Sequence, residues 1–178
     1  QVMSSAPSWL QKWLGRSVQT TGDVARWDAL KSGLEECRRR QLGALVVVPR
    51  EADPSTVATG WTAIDAALSA ALIVALFEKA SPLHDGAACI DQKKILWAGG
   101  ILPVSGRMDL PSQCGTRHRA AVGISEQTDA VVLVVSEETG ALSFVHEGQL
   151  ETGLSFDRLT ERLENALTDQ GQKTKKEE

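Results

Sequence analysis

Two short apolar runs without polar interruption mark the chain, at residues 43–48 and 130–135. Apart from the glycine that opens the first run, both consist of alanine, leucine and valine. Continuous runs of this length are typical of strands that are covered on both faces of a sheet. The pattern therefore predicts two central strands with helices packed above and below them.

A helical period of three and four residues stands on either side of these runs. Before the first run the apolar positions are Val24, Trp27, Leu30, Leu34 and Cys37. Asp23 stands where the N-cap of this helix is expected. After the second run a last helix is predicted from about Asp157. Its apolar positions are Phe156, Leu159, Leu163 and Leu167.

Between the two runs, residues 61–79 are rich in alanine and leucine and are apolar on nearly every side. We expect a helix there, at the centre of the domain. Residues 87–90 and 95–104 predict two strands joined by a polar turn, and residues 116–127 predict a further helix. Residues 141–145 predict a hairpin partner for the second apolar run.

This order of elements predicts a single α/β domain with a central mixed β-sheet flanked by helices. We expect the domain at residues 41–168, after an N-terminal helical extension at residues 1–40. A charged tail at residues 169–178 is expected to be disordered. Trp9 and Trp13 of the extension either pack on the core or contact a partner or second subunit, and the pattern leaves both open.

The composition narrows the class of function. The 178 residues are 42% hydrophobic and 24% charged, as in an ordinary soluble globular domain. The formal net charge of −4 argues against a general nucleic-acid binder, because such proteins are usually basic. Cys37, Cys89 and Cys114 are far apart and form no zinc-binding spacing, so we expect free thiols in a reducing compartment.

Membrane and export signals are not evident in the sequence. The most apolar segment, residues 63–77, contains Asp65 and is shorter than the roughly 20 residues that a membrane-spanning helix needs. We therefore expect no membrane segment and a cytoplasmic location.

The helix predicted at residues 116–127 begins with basic residues, which are unfavourable at a helix N-terminus. Residues 115–119 read Gly-Thr-Arg-His-Arg, which predicts a tight turn, a threonine N-cap and a cationic first turn. A helix N-terminus has partial positive charge, so each cation costs on the order of half a kcal/mol unless an anion lies between them. Arg117, Arg119, free amides and the Thr116 hydroxyl suit a phosphate group. A surface basic turn paired with nearby carboxylates is equally compatible with the pattern.

Two other polar sets interrupt apolar elements, His84–Asp85 and Ser136–Glu138. All three sets lie at predicted strand or helix ends, where open α/β domains bind ligands. Their carboxylates, imidazole, hydroxyls and guanidinium groups suit a nucleoside triphosphate with a divalent metal. The sequence contains neither a P-loop nor a Rossmann glycine motif. Each set also has an ordinary explanation: a turn at Asp85–Gly86, a hydrogen-bonded core histidine, and a solvated strand end at residues 137–138.

At these positions the sequence resembles the diadenylate cyclase (DAC) domain family. The resemblance rests on an Asp-Gly-Ala motif at residues 85–87, within SPLHDGA, and an Arg-His-Arg motif at residues 117–119, within GTRHRAAVGISE. The stretches GALVVV, LPVS and VSEETGALS are similar to that family in order and spacing. The match runs from about Gly43 to Leu150, so it covers neither the leading region nor the tail.

The resemblance implies an enzyme that condenses two ATP molecules into cyclic di-AMP and releases two pyrophosphates. Each protomer would hold one ATP, so activity would need a homodimer or a larger homo-oligomer. Asp85 is expected to position and help deprotonate the attacking 3′-hydroxyl, and Arg117 and Arg119 are expected to act on the phosphate charge. His84 is expected to bind Mg or Mn, with Glu138 as a further candidate ligand.

The ATP-binding set that the resemblance implies is larger. The residues expected to hold the triphosphate are Thr116, Arg117, Arg119 and Ser136. Gly86 and Leu102 would offer backbone contacts to ribose and adenine. The full expected set is Gly86, Ala87, Leu102, Gly115, Thr116, Arg117, His118, Arg119, Ser136 and Glu137. Ile101 stands where some members carry an aromatic residue on the adenine, and it can still pack on the base.

Two other functions stay open on the sequence alone. A catalytically silent sensor on the same fold would bind ATP or cyclic di-AMP without turnover. A nucleic-acid contact through Arg117 and Arg119 is the other, and the acidic balance of the chain speaks against it. We expect ATP as the substrate and no nucleic acid as a partner. Trp9, Trp13 and Trp27 are candidates for a regulatory contact that would favour an inactive pairing of subunits.

Overall fold

The computed structural model describes residues 27–168. The helices are α1 (Asp28–Arg39), α2 (Ala70–Phe77), α3 (Thr116–Gln127) and α4 (Phe156–Thr168), and a 3₁₀ turn spans Pro54–Thr56. The strands are β1 (Ala44–Val48), β2 (Thr62–Ala67), β3 (Ala87–Ile90), β4 (Lys94–Gly100), β5 (Val131–Val135), β6 (Leu142–His146) and β7 (Gln149–Leu154).

The seven strands form one mixed sheet in the order β2-β4-β3-β1-β5-β6-β7. Strands β1 and β3 run parallel, and every other neighbouring pair is antiparallel. The amino ends of β1 and β3 therefore lie beside the carboxyl end of β5, at the same end of the strands. The expected α/β fold with a central mixed sheet is confirmed.

The two apolar runs become β1 and β5, which pair at the centre of the sheet and are buried along their whole length. Their side chains alternate between two apolar cores, because successive residues of a strand point to opposite faces. Val46 and Leu133 lie in one core, and Val47 and Val132 lie in the other. Helices α1, α2 and α4 cover the first face, and α3 covers the second.

The expectation of a helix at residues 61–79 is wrong for the first half of that segment. That half forms β2, an edge strand paired with β4, and only α2 is helical. Pairing with β4 outweighs the helical preference of the alanines, and Asp65, with a φ of 45°, lies within the register shift of the strand. Ser69 starts α2, because its Oγ accepts a hydrogen bond from the amide of Leu72. The segment is thus an edge strand with a short helix beside it, and not the centre of the domain.

Two other element ends differ from the expectation. The strand expected at residues 95–104 ends at Gly100, after which Ile101 makes a single bridge with Thr59. The sequence pattern does not predict β7, because this edge strand is only partly buried and lacks an apolar face.

The helix starts need correction as well. Thr116 is not the N-cap of α3 but its first helical residue, and Gly115 takes the N-cap position without a side-chain cap. Helix α1 begins at Asp28. The expectations for Asp23, for the two leading tryptophans and for the charged tail fall outside the described residues.

Two general expectations can be compared with the structure. All three cysteines are free and buried. Within residues 27–168, none of the helices has the length and apolar character that a bilayer crossing requires.

The close packing of α3 on the segment before it predicts the effect of Gly123→Ala. A Cβ at residue 123 would lie 2.1 Å from the carbonyl oxygen of Pro103 and 2.8 Å from the amide nitrogen of Ser105. Alanine in a helix interior would otherwise stabilise by about 1 kcal/mol, so a loss would report the clash. We expect the free energy of unfolding to fall by about 1–3 kcal/mol in a urea titration.

The matched control is Gly106→Ala, because a Cβ at residue 106 would meet no heavy atom within 4 Å. This variant should differ from wild type by less than about 0.5 kcal/mol. Equal stability of the Gly123→Ala and Gly106→Ala proteins would contradict the packing described.

Candidate active site

A cavity of about 640 Å³ opens where the N-terminus of α3 meets the carboxyl end of β5. Its size lies within the range of about 300–1,000 Å³ that is common for small-molecule sites. The lining residues are Gln41, Lys79, Gln113, Gly115, Thr116, Arg117, His118, Val135, Ser136, Glu137 and Glu138. The cavity therefore joins two of the three polar sets of the sequence.

The N-terminus of α3 supplies backbone donors to this cavity. Gly115 has no side-chain cap hydrogen bond, and its carbonyl oxygen accepts from the amide of Arg119. The amides of the first helical turn have no carbonyl partner within the helix and carry partial positive charge. Since Gly115 and Thr116 are exposed and line the cavity, these donors lie beside a space that suits an anion.

Arg117 connects this end of the helix to two other parts of the site. Its Nη1 lies 3.1 Å from Oε2 of Glu137, and its Nη2 donates to the carbonyl oxygen of His84 at 3.4 Å. The side chain is only 18% exposed, and Nε has no hydrogen-bond partner among the described residues. Arg117 is therefore held between the loop after β5 and the loop before β3.

Gly43, at the start of β1, makes room for this guanidinium group. A Cβ at residue 43 would lie 2.6 Å from Nη1 and 2.7 Å from Cζ of Arg117. Arg117 thus packs directly over the backbone at the amino end of β1. The sequence analysis missed this role, and the available signal was the glycine that opens an otherwise apolar run.

Glu137 bridges Arg117 and Lys79. Its Oε1 lies 2.9 Å from Nζ of Lys79, and its Oε2 is the atom that pairs with Arg117. Hydrogen bonds from Lys79 and then from Arg117 lower the pKa of the Glu137 carboxyl, so it is charged at neutral pH. Lys79 was not among the expected site residues, and neither were Gln41 and Gln113.

The His84–Asp85 loop borders the site at Arg117. Nδ1 of His84 lies 2.6 Å from the carbonyl oxygen of Ser81, which can only accept, so this nitrogen carries a proton. Nε2 of His84 lies 3.2 Å from Oδ1 of Asp85. The Asp85 side chain is 87% exposed, so it is open to a molecule that approaches from outside the chain.

Gly86 allows the backbone of this loop to pack closely on the sheet. A Cβ at residue 86 would lie 2.3 Å from the carbonyl carbon of Gly99, whose φ of 73° belongs to the left-handed region. The backbone of the Asp-Gly-Ala motif therefore packs directly on β4, and a side chain at residue 86 would shift Asp85.

Two of the expected metal ligands, His84 and Glu138, carry ligating atoms near the site. His84 has its Nε2 turned towards the carboxylate of Asp85, and Glu138 lines the cavity. No cluster of three or more ligating side chains occurs within residues 27–168. Mg²⁺ is usually bound by one or two carboxylates together with substrate phosphates and water, so the Glu138 carboxylate suits such an ion.

The three residues of the Arg-His-Arg motif differ in their partners. His118 is buried, and its Nε2 lies 3.1 Å from Oγ of Ser143. Nη1 of Arg119 donates to the carbonyl oxygen of Arg107 at 2.9 Å. Only the first two residues of the motif line the cavity. The roles of His118 and Arg119 towards ATP stay predictions.

Taken together, the expected site residues are divided between the cavity lining and its surroundings. Those that line it are Gly115, Thr116, Arg117, His118, Ser136, Glu137 and Glu138. Those outside the lining are His84, Asp85, Gly86, Ala87, Leu102 and Arg119. Ala87 and Leu102 are buried in the core beneath α3, while Ile101 is 68% exposed.

Comparison with known proteins gives consistent matches. The family model for DAC, described as DisA bacterial checkpoint controller nucleotide-binding, matches residues 31–150. Diadenylate cyclase CdaS of Bacillus thuringiensis (strain BMB171) is 40% identical over 123 residues, which are 69% of this chain and 61% of that protein. Cyclic di-AMP synthase CdaA of Bacillus subtilis (strain 168) is 36% identical over 137 residues, which are 77% of this chain and 50% of that protein. The chain thus spans between 50% and 61% of the length of these two relatives.

Solved structures share the fold. The crystal structure of a double mutant of DacA from Staphylococcus aureus matches with a TM-score of 0.74 and 34% identity, over 82% of this chain and 97% of that one. A hypothetical membrane spanning protein from Bacillus cereus matches with a TM-score of 0.69 and 35% identity, over 83% of this chain and 69% of that one.

The contact between Gly43 and Arg117 predicts that Gly43→Ala weakens nucleotide binding. The added Cβ would displace the guanidinium group from the cavity wall. A hydrogen bond to a charged group contributes roughly 1.5–3 kcal/mol, so ATP affinity measured by calorimetry should fall about ten-fold or more. In an Arg117→Ala background the same change should have little further effect. An equal loss in both backgrounds would show that Gly43 acts independently of Arg117.

The buried position of His118 predicts an acid-sensitive fold. Burial lowers the pKa of His118 below the value of about 6.5 that an unfolded histidine has. Between these two pKa values the unfolded chain binds the proton more strongly, so the free energy of unfolding falls as the pH drops below about 6.5. His118→Gln should reduce this fall, as measured by urea titrations between about pH 7.5 and pH 5.5.

The pKa of His146 is also lowered, first by burial and then by Arg50, so part of the fall should persist in the His118→Gln variant. Stability curves of wild type and His118→Gln that run parallel with pH would show that His118 does not cause the effect.

Proposed function

The chain belongs to the diadenylate cyclase (DAC) domain family, and on this premise we propose that the protein condenses two ATP molecules into cyclic di-AMP and two pyrophosphates. The observation that supports this most is the contact of Arg117 with both the cavity and the His84 carbonyl. This contact holds the N-terminus of α3, which suits an anion, against the loop that carries the exposed carboxylate of Asp85.

The proposed reaction is a pair of identical phosphoryl transfers. The 3′-oxygen of one ATP attacks the α-phosphorus of the other, a new P–O3′ bond forms, and the bond from the α-phosphorus to the pyrophosphate oxygen breaks. Asp85 positions the 3′-hydroxyl and accepts its proton in each transfer. Since Asp85 is largely exposed, it can reach a nucleotide held by a second protomer. The proposed active form is therefore a homodimer or a larger homo-oligomer.

The remaining residues act by positioning and by charge. In this proposal Arg117, the amides of residues 115–118 and the Thr116 and Ser136 hydroxyls hold the triphosphate in line for attack. Their donors stabilise the charge that grows on the α-phosphate and on the departing pyrophosphate. Arg119 is proposed to help stabilise the same negative charge, although its Nη1 contacts the carbonyl oxygen of Arg107.

The DAC family is generally metal-dependent. We propose Mg or Mn as the ion, held by His84 and Glu138 together with the phosphates. When bound, the ion would neutralise phosphate charge. The Nδ1–H group of His84, which donates to Ser81, orients the ring so that Nε2 is the nitrogen available for such a ligand.

The organisation around this unit is also proposed. We place the catalytic domain at residues 41–168 and a helical extension before it, and we propose a cytoplasmic location. Helix α1 contributes Leu30, Leu34 and Cys37 to the core shared with α2 and α4, so this part of the extension packs on the domain.

The proposal predicts that Asp85→Asn removes most of the product. General-base assistance contributes typically 10²–10⁴-fold, so we expect a loss of about 100-fold or more in cyclic di-AMP formation. Affinity for ATP should change little, because Asp85 is not assigned to the triphosphate. Product is identified by mass after incubation with ATP and either Mg or Mn. Asp157→Asn is the control, since Asp157 is an exposed carboxylate paired with Lys31 on another surface.

Full activity of the Asp85→Asn protein would remove this carboxylate from the mechanism. ATP binding by wild type without product at any protein concentration would favour the silent sensor instead. If two protomers must meet, the rate per subunit should rise with protein concentration.

A further inference from the structure

Three of the four charged side chains that line the cavity form a chain, and Glu138 is the fourth. The Glu137 carboxylate uses one oxygen for Lys79, at 2.9 Å, and the other for Arg117, at 3.1 Å. All three residues line the cavity. Carboxylate and phosphate oxygens accept hydrogen bonds from the same cationic donors, so Glu137 occupies the partners that a phosphate group would take.

We propose that Glu137 competes with phosphate groups for Lys79 and Arg117, and thereby helps to release the pyrophosphate product. Lys79 is then a phosphate-binding residue of the site. This inference rests on the proposed function, because it takes the triphosphate of ATP and the pyrophosphate product as the competing ligands.

The two cations differ in how easily they change partners. Lys79 is 65% exposed and Glu137 is 40% exposed, and ion pairs at such exposed positions are weak. Arg117 is fixed by burial, by the His84 carbonyl and by the backbone at Gly43. The Lys79 side chain is therefore the mobile partner, and it can move between Glu137 and a phosphate at small cost.

The charge balance explains both entry and release. A triphosphate carries several negative charges, so it gains more from two cations than the single carboxylate does. Glu137 remains attached to the site, however, and its effective concentration near the cations stays high. Once the cations hold phosphate, the Glu137 carboxylate lies next to like charge. Both effects shorten the stay of pyrophosphate without preventing ATP from binding.

Pyrophosphate binding to four proteins tests this inference: wild type, Lys79→Met, Glu137→Gln and the double variant. Calorimetry in a metal-free buffer with a chelator isolates the protein cations from any divalent ion. We expect Glu137→Gln to tighten binding about five-fold and Lys79→Met to weaken it. The effect of Lys79→Met should be larger in the Glu137→Gln background, because the competing carboxylate is then gone. Lys93→Met is the control, since Lys93 is an exposed lysine of the β3–β4 turn.

A Glu137→Gln protein that binds pyrophosphate equally or more weakly than wild type would overturn the competition. A Lys79→Met protein that binds as wild type does in both backgrounds would overturn the role of Lys79. The absence of measurable binding to both wild type and Glu137→Gln would also count against the inference.

The ATP assay separates this result from the proposed function. Added pyrophosphate should inhibit cyclic di-AMP formation by Glu137→Gln at about five-fold lower concentration than in wild type. If wild type forms product but the variants bind pyrophosphate as it does, the inference fails and the function stands. If the binding shifts occur but wild type forms no product, the function fails and the anion competition stands.

Discussion

The contacts of Arg117 are the interaction on which the rest of the site depends. This one side chain touches the carboxylate that follows β5, the carbonyl of the loop that precedes β3, and the glycine that precedes β1. The strand directions in the sheet make this possible. Because β1 and β3 run parallel and β5 runs antiparallel beside β1, the three loops meet at one end of these strands. Helix α3, whose first turn is cationic, begins at that end of the strands and fixes the loops against one another.

The arrangement combines features of both interpretations of the cationic turn. Arg117 does pair with a nearby carboxylate, as a surface basic turn would, but it does so in the wall of a cavity and with little exposure. A carboxylate beside two cations is what an anion site holds when its charges are balanced by the protein itself. Glu137 thus offsets, within the site, the unfavourable placement of a cation at a helix N-terminus.

Much of the architecture follows from the sequence because the strongest signals are local. The unbroken runs of β1 and β5 require cover on both faces, and the apolar period of α1 and α4 requires a core beneath them. The error at residues 61–79 arose because alanine-rich segments have high helix propensity, while the choice of β2 depends on pairing with a distant strand. The roles of Gly43 and Lys79 were not predicted for a related reason. Their contacts with Arg117 and Glu137 join residues that are distant in the sequence and form only in the folded chain. The partner of Arg119 likewise depends on the loop that contains Arg107, which no periodicity describes.

The proposed reaction requires the triphosphate of ATP to bind against Arg117 at the N-terminus of α3. A crystal structure of the protein with a non-hydrolysable ATP analogue and Mg²⁺ measures this directly, through the distance from the Arg117 guanidinium to the nearest phosphate oxygen. We expect a hydrogen-bond distance there, with phosphate also at the amides of the first helical turn. Phosphates bound elsewhere, with the pair of Arg117 and Glu137 unchanged, would contradict it.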